Sequence, residues 1–445
     1  MEFLIKALQL IMSLSILVIL HELGHFIPAK IFKTRVEKFY LFFDPWFSLI
    51  KKKIGNTEYG IGWLPLGGYV KISGMIDESM DKEQMKKPPK PWEFREKPTW
   101  QRLIIMLGGV TVNLFLGMFI YAMVLFYYGD RYLPNENLTD GIWCVDSFAD
   151  DLGFKNGDKI LEIDGDKIVI FNDVFEKLLY AKIVTIERDG LIKELVLPDN
   201  FIEQLLESNV RVLFSPRIPT IISGFIENSN AKKAGFKKRD KIVSVNGVET
   251  IYFDQFKAEL QKYKEQNISV VVDRFGKSEQ ISVNVTNEGM IGFMPSNLSL
   301  QQLENLGVYK LQSSNYSFFE SLPAGCSLAV KKLTSYINQF KLILSPSTGA
   351  YKGLGGFGTI GSLFPSTWNW QIFWEMTAFL SLILAFMNIL PIPVLDGGHV
   401  MFLLYEMVSG KPAPEKVMEY AQMAGMILLL TLLIYANGND IIKLF

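Results

Sequence analysis

Four runs of about twenty apolar residues dominate this chain, and a helix of that length is what a bilayer core requires. They fall at 3–27, 103–128, 371–394 and 419–436. A hydrophobic content of 49% across 445 residues, with a mean hydropathy of +0.20, fits a chain that lives largely in lipid. Glu2 and Lys6 make a poor basic leader for the first run and no small-residue cleavage site follows it, so it reads as a retained span and not a removed signal. A net charge of −1 gives no argument for nucleic acid or for an acidic substrate. Cys144 and Cys326 are far apart and outside any C-x-x-C pattern, which predicts neither a disulfide framework nor a thiolate metal site.

Lys and Arg in the connecting segments orient the spans. The first loop carries Lys30, Lys33, Arg35, Lys38, Lys51, Lys52, Lys53, Lys86, Lys87, Lys90 and Arg102, and the last turn carries Lys411 and Lys416. The region after the second span is acidic, with Asp146, Asp150, Asp151, Asp158, Glu162, Asp164 and Asp166. The first loop and the last turn are therefore expected in the cytoplasm, and the polar middle on the other side. The first loop is not simply polar. Residues 39–43, 47–50 and 59–70 are strand-like and aromatic, with Gly55-Asn56 and Gly67-Gly68 as turn signals. Such a hairpin beside a membrane must pack on protein or line a cavity. It is either a peripheral loop or a re-entrant sheet offering an edge to an extended substrate.

The first span ends in His21-Glu22-Leu23-Gly24-His25, an H-E-x-x-H pattern. Histidines four apart share one face of a helix, so both imidazoles can reach one Zn²⁺, with Glu22 beside it as a general base. The third histidine, His399, follows Asp396-Gly397-Gly398 at the end of the third apolar run. There the sequence Asn388-Ile389-Leu390-Pro391-Ile392-Pro393-Val394-Leu395 breaks the helix, and unpaired backbone at that depth must line a cavity or pack on protein. An ionisable Asp396 in apolar surroundings is a functional candidate. Asp396 and His399 are both suitable as the third ligand, and their spacing does not separate them.

The polar middle contains an internal repeat. Gly153-Phe154-Lys155-Asn156-Gly157-Asp158-Lys159-Ile160, leading to Asp164-Gly165, returns 82 positions later as Gly235-Phe236-Lys237-Lys238-Arg239-Asp240-Lys241-Ile242, leading to Asn246-Gly247. Helical stretches at 171–180 and 253–263 follow, then strands at 183–188 and 268–274. The period is domain-sized, and the pattern resembles PDZ domains, which bind extended peptides at a sheet edge. The second copy has Arg239 where that family usually has Gly; the first has Leu152 for Ala and Asp164 for Asn. Further on, Leu328, Leu333, Ile337 and Phe340 against Lys331, Lys332 and Lys341 predict an amphipathic helix at the membrane surface. The run Gly353–Gly358 lacks the Lys-Ser/Thr of a phosphate loop and reads as a close turn.

Taken together, H-E-L-G-H in the first span, Pro65-Leu66-Gly67-Gly68-Tyr69-Val70 in the loop, Arg102 with Asn113 in the second span, two PDZ-like units and N-x-x-P-x-P-V-L-D-G-G-H resemble the site-2 protease family of intramembrane zinc metalloproteases over essentially the whole chain. The resemblance implies His21, His25 and Asp396 as zinc ligands, Glu22 as catalytic residue, and Asn388, Pro391 and Pro393 as holders of an unwound substrate. It further implies single-span membrane substrates already trimmed by another protease, such as an anti-sigma factor, or remnant signal peptides. It places the protein in a bacterial inner membrane. The sequence departs from the family at Gly108-Gly109-Val110 and Gly356-Phe357-Gly358. The fold expected is a multi-pass α-helical membrane protein of four transmembrane helices, with a membrane-associated β-hairpin or sheet loop and two inserted PDZ-like α+β domains. The divisions expected are 1–129 (containing the re-entrant β loop, 36–75), 130–215, 216–300, 301–369 for the surface helix and Gly-rich connector, and 370–445. Two other readings fit parts of the sequence: a zinc protease for exposed loops of misfolded membrane proteins, and an inactive scaffold using only the PDZ-like units.

Overall fold

The computed structural model describes residues 2–75, 88–208, 210 and 212–442. Lys86 and Lys87 of the basic loop lie outside them. The chain forms two compact units, one of Met1–Gly129, Asn315–Pro346 and Ala350–Phe445, the other of Asp130–Ser314 with Ser347–Gly349.

The first unit is a helical bundle with one sheet. Its helices are α1 (Glu2–Ile31), α2 (Thr99–Tyr128), α3 (Phe318–Ile343), α4 (Phe357–Ser362), α5 (Trp370–Ile389), α6 (Asp396–Ser409) and α7 (Glu415–Ile442). Among the described residues, four helices are long and apolar enough to cross a membrane: α1, α2, α5 and Lys416–Ile442 of α7. α1 and α2 approach so closely at Gly24 and Gly108 that a Cβ on either glycine would overlap the other's backbone. Small residues at such a crossing let backbones touch where no hydrophobic effect drives helices together. Gly108, where the sequence departs from the family pattern, is thus what permits the contact.

Two expectations change. The third span stops at Ile389, short of 394, because Pro391 and Pro393 cannot continue a helix. The backbone then turns through Val394 at φ 92°, a strained value for a β-branched residue, and restarts as α6 at Asp396. Second, α3 does not lie flat on the bundle. Its Gly325 abuts the Ala122 backbone of α2, Phe318 meets Phe126, and Tyr336 and Phe340 meet Phe386 of α5, so it runs lengthwise along both spans. Its buried stripe of Ser321, Gly325 and Ala329 is small enough to nest there. The turn signal at Gly67-Gly68 is met: the strand reverses between 57–64 and 68–72, with Gly67 at φ 146°.

That strand belongs to the loop sheet, β1 (Val36–Ile54) and β2 (Thr57–Ile72), joined at Gly55-Asn56. β1 doubles back near Phe42 and Trp46, both at positive φ. Tyr40 pairs with both Tyr69 and Gly60, while Lys52 pairs with Tyr59. The result is four segments in the order 68–72, 36–43, 57–64, 48–54, the outer two each antiparallel to their neighbour and the middle two running the same way. Gly68 is needed because a Cβ there would stand 2.6 Å from Val18 of α1 and 2.7 Å from the Tyr40 carbonyl. The Gly-rich run before α5 is a capped helix start: Asp440 of α7 accepts from the Gly356 and Thr359 N–H groups at 3.0 Å each.

The second unit repeats one design. A four-stranded antiparallel sheet orders Asp166–Lys167, Lys159–Ile163, Ile183–Arg188 and Leu191–Val196; another orders Val248–Glu249, Lys241–Val245, Asn267–Arg274 and Lys277–Asn284. In each, the Asp-Gly or Asn-Gly turn has positive φ at both residues, as a tight hairpin demands. Asp158 and Asp240 are fully buried, each held by a two-pronged arginine, Arg188 and Arg274, at 2.7 Å. The chain after the second sheet returns to the first core. Leu303, Tyr309 and Leu311 are buried there, and Gln312–Ser314 pairs with Asp130–Tyr132. This overturns the placement of 301–314 in the connector: three spaced apolar residues give no periodic signal, yet suffice to fill a neighbouring core. Cys144 and Cys326 are both free.

Candidate metal centre

On α1, one helical turn sets His21 and His25 on the face turned to α2. Both are buried, with 7% of their surface exposed. α2 holds the back of each ring. His25 Nδ1 lies 2.8 Å from the Ile105 carbonyl, to which it donates, leaving a lone pair on Nε2. His21 Nδ1 lies 3.1 Å from the Asn113 amide, which is fully buried and whose Oδ1 otherwise has no partner. With the amide turned so that Oδ1 accepts from Nδ1–H, that oxygen is satisfied and His21 Nε2 is also a lone-pair donor. Gly109 sits between the rings; a Cβ there would overlap His25 Nε2 and stand 2.6 Å from His21 Cε1.

Asp396 arrives on the first residue of α6. Its Oδ2 is 3.2 Å from His21 Nε2 and 3.3 Å from His25 Nε2, and the two Nε2 atoms are 3.3 Å apart. These are three nearly equal edges. A tetrahedral ion with ligands at about 2.0 Å has edges of roughly 3.3 Å. Asp396 Oδ2 is buried without a hydrogen-bond donor, and three lone pairs crowd together, so the donor set fits a small divalent cation. His399 Nε2 instead faces the Gln422 side chain of α7 at 3.5 Å. The local geometry that spacing could not supply separates the two: Asp396 converges with the histidines, and His399 does not join that triangle.

Glu22 lies beside the triangle under strand 68–72, where it accepts from the Val70 N–H. A cavity of about 760 Å³ opens over them, lined by His21, Glu22, Gly68, Asn388, Asp396 and His399 among others. The Asn388 amide nitrogen is 3.3 Å from His21 Nε2. Pro391 and Pro393 do not line the cavity. Pro393 instead packs its Cα and carbonyl against Gly398 and Gly425, so its part is to shape the loop that carries Asp396. Sequence reasoning gave no role to Asn113, Ile105, Gly109 or Val70. Asn113 left a trace, being a lone amide in the middle of an apolar span; the others act through backbone or through lacking a side chain.

Two histidines, a carboxylate and a neighbouring glutamate in a walled cavity are the equipment of a metal-dependent hydrolase. Residues 9–432 match the family described as peptidase family M50, and the chain belongs to that family. It is 28% identical to the regulator of sigma E protease of Haemophilus influenzae, covering all of both chains. It is 26% identical to a Treponema pallidum protein described as a candidate zinc metalloprotease, covering 99% of this chain and 100% of that one. A Borreliella burgdorferi protein of the same description is 29% identical over 90% of each.

Proposed function

We propose that the chain is an intramembrane zinc metalloprotease of a bacterial inner membrane, cutting the spans of single-pass proteins already shortened by another protease. The observation that carries this reading is the near-equilateral triangle of His21, His25 and Asp396 inside a bundle of apolar helices. These three residues would hold zinc, which when bound supplies Lewis acidity toward a water and the scissile carbonyl. Glu22 takes the water's proton and delivers it to the leaving nitrogen. Asn388, on the cavity wall, donates to the substrate backbone. A substrate helix hides its amides in internal bonds and must unwind before attack. Strand 68–72 offers a backbone edge beside Glu22 to replace them. Residues 130–314 are read as two PDZ-like domains outside the cytoplasm, which exclude substrates with bulky outer domains or bind peptide ends, and the H-E-x-x-H is read as lying toward the cytoplasm. Anti-sigma factors and remnant signal peptides are the substrates of the matching chemistry.

The test is cleavage of a tagged single-span substrate by purified protein, wild type against Glu22→Gln, with bound zinc measured in both. Cleavage within the span, lost by at least about a hundredfold in a variant that retains zinc, supports the reading. Zinc in both and cleavage in neither points to the scaffold. Cleavage confined to loops outside the membrane points to a quality-control protease.

A further inference from the structure

The outer ribbon of the loop sheet, 48–54 paired with 57–62, is the part of the sheet farthest from the metal centre. It exposes apolar side chains on both faces: Trp46 is 90% exposed, Phe47 56%, Leu49 60%, Ile50 64% and Ile54 59%. The patch is rigid. Trp46 and Phe47 stack on Trp63 at 6.1 and 5.8 Å, and the Trp63 indole donates to the Pro45 carbonyl at 2.9 Å. Directly beside it stand Lys51, Lys52 and Lys53, all exposed. Among the described residues none of these three has an ion pair or side-chain hydrogen bond. Other lysines of the sheet do: Lys38 approaches Asp44 and Lys71 approaches Glu37. Rigid aromatic rings next to unpaired ammonium groups on flexible stems match a bilayer interface, where rings sit at headgroup depth and lysines reach phosphates.

We infer that Trp46–Ile54 is an interfacial seat that binds the anionic phospholipid headgroups of the membrane carrying the chain, and that this binding sets the strand edge over Glu22. The inference rests on the proposed intramembrane protease reading. The coupling route is the sheet itself. Segment 48–54 bonds to 57–62, that to 39–41, and that to 68–70, a span of about 14 Å at the usual strand spacing. A sheet fixed at its outer strand by lipid holds its inner strand in register beside the site.

The experiment compares proteoliposomes of phosphatidylcholine alone with proteoliposomes containing one-third phosphatidylglycerol. Proteins are the full chain, Lys51→Gln/Lys52→Gln/Lys53→Gln, and the charge-keeping Lys51→Arg/Lys52→Arg/Lys53→Arg. A nitroxide on a cysteine replacing Ile54, in a background with Cys144 and Cys326 changed to Ser, reports headgroup proximity through a gadolinium-chelating lipid. Wild type and the arginine variant are expected to cleave several-fold faster in the anionic vesicles, and high salt is expected to erase the gain. The glutamine variant is expected to cleave equally in both, at the wild-type rate for neutral vesicles. Headgroup proximity at position 54 is expected to increase with anionic lipid only when the charges are present. Equal lipid responses in wild type and glutamine variant overturn the inference. So does a glutamine defect confined to substrates with acidic flanks and present in neutral vesicles, which would make the lysines a substrate contact. If no vesicle supports cleavage, the protease reading fails while the nitroxide still reports on the seat.

Discussion

Glu406 accepts from Arg102 at 2.5 Å and from Thr99 at 3.1 Å, which ties the far end of the Asp396 helix to the helix that backs both imidazoles. α2 thus acts as a ruler. Ile105 and Asn113 fix the rings, and Arg102, at the helix start, fixes α6. Both partners of the pair are largely buried, with 14% and 16% of their side chains exposed, so removing one leaves a poorly solvated charge. Glu406→Gln is expected to weaken zinc binding about tenfold through misplacement of Asp396. The swap Arg102→Glu/Glu406→Arg is expected to restore most of it. Chelator competition measures both, and a swap no better than the single variants would sink the idea.

Asn113 orients His21. Removing an outer partner of a metal-binding histidine typically lowers metal affinity about 10–100-fold. Asn113→Leu should show a loss of that size, while Asn113→Asp, which keeps an acceptor for Nδ1–H, should retain most binding. The measurement is zinc affinity at neutral pH with thermal melting as the fold control. Tight binding by the leucine variant would remove Asn113 from the centre.

Gly108 and Gly109 are adjacent and should fail differently. Gly108→Ala puts its methyl into the Gly24 backbone, so it forces α1 and α2 apart and should lower the melting temperature. Gly109→Ala points its methyl at the two imidazoles, so it should keep the bundle but lose zinc and cleavage. Zinc content and melting curves on both variants separate these outcomes; a Gly109→Ala protein with full zinc contradicts the geometry.

Asp240 should make its unit acid-sensitive. Burial pushes its carboxyl up, but the Arg274 guanidinium and the Lys237 N–H outweigh burial and hold it below the usual range. A depressed folded-state value stabilises above the unfolded value of about 3.9 and is lost as pH falls through the folded one. Asp240→Asn should therefore destabilise the unit by about 1–3 kcal/mol at neutral pH, where Arg274 loses its buried carboxylate and keeps only Glu279 and the Gly235 carbonyl. The difference from wild type should shrink in acid below about pH 4. Amide exchange in 241–245 and 267–274 across pH is the readout, and a difference constant with pH would exclude the linkage.

The chemistry of this chain is written locally, which is why so much of the centre was legible. An H-E-x-x-H on a helix places two rings by helical pitch alone, and two prolines in an apolar run announce a break whatever surrounds them. Length and apolarity marked the four long helices because a bilayer imposes one dimension on every span. The repeat around Asp158 and Asp240 was visible because both copies keep the same turn chemistry.

What the sequence left open depended on which surfaces meet. Asp396 and His399 are three residues apart, and only the strained turn at Val394 and the seating of α6 on α2 aim one at the histidines and the other at Gln422. Gly67-Gly68 was legible as a turn; only the presence of Val18 and the Tyr40 carbonyl shows why the strand that follows must begin with a glycine pressed onto α1. α3 has the amphipathic pattern of a surface helix, and its small-residue stripe has meaning only opposite Ala122. The roles of Ile105, Val70 and Gly109 rest on a carbonyl, an N–H and a missing methyl. Those groups are common to many residues, so their function exists only once the tertiary structure brings a partner to them.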